Sequence, residues 1–139
     1  MQERSFEKAI SSLDEVFAFL HRFVEEEGLA ADLQFSLDFV VEEIFTNMVK
    51  HNTGSTNDIV IGVGRDDRRV HVQLTDFDVD PFDPEKVEEY DVGAPLEKRR
   101  PGGLGLHLVK AMADKITFEY DARTLRVSIF KNLTPKPRG

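Results

Sequence analysis

In two short runs in the middle of the sequence every second residue is apolar, and this pattern restricts the fold more than any other feature. The apolar members are, in order, Ile59, Ile61, Val63, Val70, Val72 and Leu74. Because the polar segment 65–68 separates the runs, they predict an antiparallel hairpin with one buried face. Such a face must pack against another layer, and a chain of 139 residues is long enough for one domain that supplies it.

Helical periodicity precedes this hairpin. Ser12 followed by Glu15 predicts a capping box that opens a first helix, and Gly28 is a suitable residue to end it. The apolar face of this helix is predicted at Leu13, Val16, Phe17, Leu20 and Val24. A second helix is predicted from about Ala31 to His51, with its buried face at Leu37, Val40, Val41, Ile44, Phe45 and Met48.

The remaining segments complete the predicted fold. Residues 3–10 are expected to form a short edge strand, and strands are predicted at about 116–120 and 124–130. A third helix should follow the glycines near residue 103, with apolar residues Leu104, Leu108, Val109 and Met112. We therefore predict an α+β fold, a two-layer α/β sandwich whose mostly antiparallel, mixed sheet has helices on one face. Residues 1–133 would form this single domain, and residues 134–139 a loose tail.

Composition excludes several classes of function. The net charge of -8 and the pI near 5.0 argue against non-specific nucleic-acid binding and against attachment to an anionic membrane surface. The chain has no cysteine, which excludes disulfides, thiolate catalysis and Cys-ligated metals. We find no run of about 18 to 20 apolar residues and no signal-peptide pattern, so a cytoplasmic protein is expected.

A polar stripe runs along the second helix. Glu43, Asn47 and His51 recur every fourth residue and so share one face, with Lys50 beside them. The stripe lies next to the apolar face and not on the opposite side of the helix. Carboxylate, carboxamide and imidazole groups at the rim of a core can act as general base, oxygen ligand for a hard cation and phosphate contact. The alternative is a hydrogen-bonded helix edge in which Lys50 or Asn47 holds Glu43.

A glycine-rich segment, Pro101-Gly-Gly-Leu-Gly-Leu-His107, leads into the third predicted helix. Its glycines allow backbone N–H groups to approach a ligand, and a helix N-terminus adds partial positive charge, so the segment favours a phosphate group. It lacks the Lys-Ser/Thr of a Walker loop. It also follows a loop and not a strand, unlike a Rossmann fingerprint.

An acidic segment, residues 75–83, follows the second strand of the hairpin and contains Asp76, Asp78 and Asp80. It lacks the glycine and the terminal glutamate of an EF-hand loop. A buried aspartate at a strand end could accept a hydrogen bond from the exocyclic amine of a base. An ordinary acidic loop is the alternative.

The order of these three motifs resembles the GHKL (Bergerat-fold) ATPases, and among them it looks most like the small bacterial anti-sigma-factor serine kinases. The resemblance covers essentially the whole chain. It is carried by Glu43-Ile-Phe-Thr-Asn47-Met-Val-Lys-His51, by Pro81-Phe-Asp-Pro84 with the preceding aspartates, and by Gly102-Gly-Leu-Gly-Leu-His-Leu-Val109. It implies a Bergerat ATP-binding fold with an ATP lid at about 81–103.

The resemblance also implies roles for residues of this chain. Asn47 would ligate Mg²⁺ that bridges the phosphates, Glu43 would be the base that activates the incoming hydroxyl, and Asp76 would bind the adenine amine. The phosphates would be wrapped by Gly102, Gly103, Leu104, Gly105 and Leu106. Further residues near the phosphates would be Lys50, His51 and either Arg99 or Arg100.

One departure from the family pattern concerns the adenine contact. The family usually has Asp-x-Gly after this strand, whereas the sequence here reads Asp76-Phe-Asp78-Val-Asp80 without a glycine. Either Asp76 or Asp78 could therefore be the adenine ligand. Binding is expected to survive if the additional carboxylates point outward.

The function implied by the resemblance is that of an ATP-dependent serine/threonine protein kinase in a partner-switching pathway. Its partners would be an anti-sigma-factor antagonist protein and a sigma factor, and the chain would form a homodimer. The alternative is a non-catalytic module of the same fold that binds a nucleotide or a partner. The missing glycine favours this alternative, and the presence of Glu43 and Asn47 opposes it.

Overall fold

A five-stranded sheet carries two long helices in this computed structural model, which describes residues 1–51, 56–79, 109 and 111–133. The side chain of His51 is outside the described part. The elements are β1 (Gln2–Phe6), α1 (Leu13–Glu26), α2 (Ala31–His51), β2 (Ile59–Arg65), β3 (Arg69–Asp76), β4 (Lys115–Asp121) and β5 (Thr124–Asn132). Val109, Ala111 and Met112 are also helical.

The strand order is β1-β2-β3-β5-β4, and every described pair is antiparallel. The predicted hairpin is β2–β3, in which Ile61 lies opposite Leu74, and Leu74 in turn lies opposite Val127 of β5. The predicted edge strand is β1, which is confirmed although it ends at Phe6. The predicted α+β class, with a mostly antiparallel sheet and helices, is therefore confirmed.

The core lies between the sheet and the helices. The alternating apolar residues of β2 and β3 are all 0% exposed, so one face of the hairpin is fully covered. All six residues predicted for the apolar face of α2 are buried, and α2 packs against β3. Alternate residues of a strand point to opposite faces, so the helices cover the face that carries the apolar residues.

α1 begins and ends where the sequence predicts, but its N-terminus is not capped in the predicted way. Ser12 precedes the helix, yet its hydroxyl donates to the carbonyl oxygen of Glu7 at 2.7 Å and makes no cap to the helix. The predicted capping box is therefore wrong, because a 3₁₀ turn (Ile10–Ser12) gives Ser12 helical backbone angles and directs its hydroxyl backwards. Gly28 ends the helix as predicted, with φ of 63°.

Several predictions lie outside the described residues. These are the lid at 81–103, the tail at 134–139 and the first residues of the third helix, including Leu104 and Leu108. Of the apolar residues predicted for that helix, Val109 is buried and Met112 is half-buried. In the part of the chain that the structure describes, no helix is long and apolar enough to cross a membrane.

Candidate functional site

The polar stripe lies at the edge of the buried face of α2. Glu43 and Asn47 are half-buried and directly precede the buried residues Ile44 and Met48. One helical turn separates the two polar side chains, which places them about 6 Å apart along the helix axis. Lys50, one turn further on, is exposed. Glu43 and Asn47 are thus at the rim of the core, as the sequence predicts.

The surroundings of Glu43 disfavour the ionised form of its carboxyl group. Burial raises the pKa of this carboxyl, the neighbouring Glu42 raises it further, and Lys50 lowers it by a smaller amount. If an ion pair with Lys50 dominated, as in a satisfied helix edge, the pKa would be lowered. The raised pKa instead favours the interpretation of Glu43 as a base, because a higher pKa makes a carboxylate a stronger proton acceptor near neutral pH.

Asp76 ends β3 and continues its buried face, since it follows Val70, Val72 and Leu74 at alternate positions. The residue is 0% exposed and its side chain lies on the helix side of the sheet. Its Oδ1 is 2.6 Å from the Nζ of Lys8, whose side chain is only 5% exposed. Asp76 is therefore a buried carboxylate at a strand end, paired with a buried ammonium.

Asp78 has a different environment. Its side chain is 57% exposed and its Oδ1 accepts a hydrogen bond from the Nε of Arg123 at 2.9 Å. The next residue, Val79, is fixed to the β4–β5 hairpin: its N–H donates to the carbonyl of Arg123, and its carbonyl accepts from the hydroxyl of Tyr120. The Asp78 carboxylate therefore points outward, which meets for this residue the condition under which binding is expected to survive. Asp80 lies outside the described residues.

The backbone of Asp78 adopts φ of 56°, in the left-handed region where glycine is favoured. The residue two positions after Asp76 therefore has a backbone conformation that glycine adopts readily. Aspartate tolerates that conformation better than most residues.

We expect Asp78→Gly to change the free energy of unfolding by less than about 0.5 kcal/mol. The relief of backbone strain offsets the lost exposed ion pair and the greater freedom of the unfolded chain. Asp78→Val should destabilise the protein by about 1–2 kcal/mol, because a β-branched residue is strained at positive φ. Urea unfolding of the two variants measures the difference, and equal losses would contradict a glycine-like role.

The other predicted site residues are less fully described. His51 is the last residue of α2, and nothing is described of its side chain. Arg99, Arg100, Gly102, Gly103, Leu104, Gly105 and Leu106 lie outside the described residues. Lys8 is a site residue that was not predicted from the sequence. No periodicity or motif indicates this lysine, because its partner is 68 residues away along the chain.

The residues of α2 fit a magnesium ion held jointly with phosphates. Among the described residues no group of three His, Cys, Asp or Glu side chains could hold a metal. Magnesium in phosphoryl-transfer sites takes only one or two protein oxygens, and phosphates and water supply the others. The half-buried carboxamide of Asn47, one turn from the Glu43 carboxylate, can provide such an oxygen.

Comparison with known families identifies the fold. Residues 6–131 match the family model described as the histidine kinase-like ATPase domain. The chain belongs to this family. The match begins at the last residue of β1 and extends into β5, so this ATPase domain includes both helices and all the motifs discussed above.

Curated relatives of the ATPase domain include serine-protein kinases named RsbW. The protein from Listeria monocytogenes is 34% identical over 106 residues, which cover 68% of this chain and 67% of the relative. The protein from Oceanobacillus iheyensis is 32% identical over 101 residues, or 64% of this chain. The chain spans only 63% of that relative's length.

Two solved structures share the fold of the ATPase domain. A Mycobacterium tuberculosis protein with RsbU and RsbW domains superposes with a TM-score of 0.69 over 96% of this chain and 33% of its own, at 14% identity. A chain of the SiaB–SiaC complex from Pseudomonas aeruginosa superposes with a TM-score of 0.56 at 12% identity. The match covers 96% of this chain and 90% of the chain in the complex.

Proposed function

We propose that this ATPase domain is a serine/threonine protein kinase that transfers the terminal phosphoryl group of ATP to an antagonist protein. The observation that carries the proposal is Glu43, a half-buried carboxyl with a raised pKa one helical turn from Asn47. Phosphoryl transfer needs mainly positioning and neutralisation of charge, so one base, one metal and a phosphate-binding loop suffice.

Each described residue of the site has a distinct proposed role. Glu43 accepts the proton of the attacking serine or threonine hydroxyl, and Asn47 would provide an oxygen to Mg²⁺. When bound, Mg²⁺ would neutralise the negative charge of the phosphates. Lys50 adds positive charge on the same helix face. For the phosphates themselves, the proposed contacts are His51, Arg100 and the glycine-rich segment Gly102, Gly103, Leu104, Gly105 and Leu106.

For the adenine contact we propose Asp76 and not Asp78. Asp76 is completely buried on the helix side of the sheet, where a hydrogen bond to a base would be shielded from water. Asp78 is exposed, is paired with Arg123, and has a left-handed backbone of the kind that favours glycine. In this proposal, residues 76–78 correspond to the family's Asp-x-Gly motif.

Similarity to the RsbW kinases supports a regulatory role for the chain. We propose that it phosphorylates an anti-sigma-factor antagonist and, in its other state, binds a sigma factor. A homodimer of the chain is also part of this proposal. The solved SiaB–SiaC structure is a complex of two proteins, which is consistent with a member of this fold acting on a protein partner.

A non-catalytic module that binds a partner or a nucleotide is the second candidate. The feature that favours it is the absence of the family's Asp-x-Gly glycine, since the sequence after β3 reads Asp76-Phe-Asp78-Val-Asp80. In this case the protein would bind ATP, or a partner protein, without transferring phosphate.

A transfer assay separates the two candidates. The purified chain is incubated with Mg-ATP labelled on the terminal phosphate, with and without candidate antagonist proteins encoded near its gene, and ATP binding is measured in parallel. Labelled serine or threonine on an antagonist supports the kinase. Tight ATP binding with no transfer to any candidate supports the module. If the chain binds no nucleotide at all, the kinase proposal fails, and the module remains only in the form that binds a partner protein.

A further inference from the structure

Lys8 and Asp76 form a buried ion pair that the sequence motifs do not account for. Their side chains are 5% and 1% exposed, and the Nζ–Oδ1 distance is 2.6 Å. Burying an ammonium is costly unless it is paired at close range and hydrogen-bonded. A lysine in the segment between β1 and α1 could easily have extended into solvent. Its burial against this particular carboxylate therefore calls for an explanation in terms of Asp76.

The backbone around Lys8 is fixed by local contacts. The hydroxyl of Ser12 and the N–H of Ala9 both donate to the carbonyl oxygen of Glu7, at 2.7 and 2.8 Å. Phe6, the last residue of β1, is 1% exposed and anchors the start of the segment in the core. Lys8 is consequently presented to Asp76 from a rigid turn, so the ammonium acts as a built-in partner of the carboxylate.

This pairing has a chemical consequence for any base that contacts Asp76. An ionised carboxylate only accepts hydrogen bonds, and an ammonium only donates them. An adenine 6-amino group donates and so matches a charged carboxylate, whereas the 6-oxo group of guanine is an acceptor and is repelled. Without a cation beside it, a buried carboxylate is no longer held in place and admits water. A hydrated carboxylate would not present a fixed acceptor to the 6-amino group and would discriminate less between the two purines.

We propose that Lys8 is a positioning residue for base recognition: it holds Asp76 as a fixed, charged acceptor and thereby sets the preference for a 6-amino purine over a 6-oxo purine. This inference rests on the proposed contact between Asp76 and adenine. It does not depend on phosphoryl transfer, so it applies to the kinase and to the non-catalytic module alike.

The test compares the affinities of ATP and GTP for the wild type and for Lys8→Met, Lys8→Arg and Lys115→Met. Lys115→Met is the matched control, because it removes one exposed lysine from the opposite face of the sheet. We expect Lys8→Met to lower ATP affinity about tenfold or more and GTP affinity by less than about threefold. Lys8→Arg retains the charge and should restore most of the ATP preference, and the control should resemble the wild type.

The outcomes separate this inference from the proposed function. If the wild type does not bind ATP, the proposed function fails. If the wild type binds ATP and a folded Lys8→Met variant keeps the same ratio of ATP to GTP affinity, Lys8 is merely structural and the inference fails.

A second measurement covers the case in which Lys8→Met does not fold. In the wild-type chain labelled with ¹⁵N-lysine, the Nζ signal of Lys8 is assigned by its absence in Lys8→Arg. Saturating ATP should shift this signal more than GTP does. An unmoved signal would overturn the inference.

Discussion

Glu43→Gln is expected to slow phosphoryl transfer by about 10²- to 10⁴-fold and to leave ATP affinity within about threefold of the wild type. Glutamine retains the shape and hydrogen-bonding capacity of the side chain but cannot take the proton of the incoming hydroxyl. The adjacent Glu42 provides the matched control, because it is an exposed carboxylate on the same helix. Glu42→Gln should retain transfer within about threefold, and equal losses in both variants would contradict the assignment of the base.

The same substitution should stabilise the fold at neutral pH. Burial raises the pKa of Glu43 above its ordinary value of 4.5, so folding favours the protonated form of this group. The stabilising contribution is complete below the unfolded pKa and is lost as the pH rises through the folded pKa. Glutamine carries no charge at any of these pH values. The variant should therefore have a higher free energy of unfolding than the wild type at pH 7, and this difference should disappear well below pH 4.5. A gain that does not depend on pH would exclude this cause.

Asp76→Ala is expected to cost about 3–5 kcal/mol of unfolding free energy, because it leaves the ammonium of Lys8 buried without a partner. The double variant Lys8→Met, Asp76→Ala should be more stable than Asp76→Ala alone, since no isolated charge remains. Urea unfolding of both single variants and of the double variant gives the coupling between the two residues.

An exposed ion pair provides the control for that experiment. Arg4 and Glu15 are 3.5 Å apart, with side chains 51% and 66% exposed, so Glu15→Ala should cost less than about 1 kcal/mol. If Asp76→Ala costs no more than Glu15→Ala, or if the double variant is no more stable than Asp76→Ala, the pair does not have the energetic role assigned to it.

The elements that were predicted correctly are those set by local periodicity. Alternation identified the β2–β3 hairpin, and helical spacing identified the buried face of α2, because each pattern repeats within a few residues of the chain. The stop at Gly28 was also predictable, since a left-handed backbone at a helix end favours glycine. The half-buried position of Glu43 follows from its place beside that apolar face.

The features that could not be predicted from the sequence depend on contacts between distant segments or on backbone angles. Spacing left Asp76 and Asp78 as equal candidates, and they became distinct only through burial and the left-handed backbone of Asp78. No sequence motif identifies Lys8, because this lysine matters only through its contact with Asp76. That contact forms where the turn after β1 meets the end of β3. A serine hydroxyl such as that of Ser12 can donate to a preceding carbonyl or accept from a following N–H, and residue types alone do not show which it does.

The position of β1 at the edge of the sheet has a consequence for the lifetime of the site. Four of its five residues are exposed, and it pairs with β2, from which two helices separate it along the chain. Such a strand belongs to the parts of a fold that detach most readily without global unfolding. An opening that also releases Phe6, the buried last residue of the strand, would carry Lys8 away from Asp76. Base recognition would then be available only while the edge strand is docked, and a ligand that requires the pair would in turn hold the strand in place.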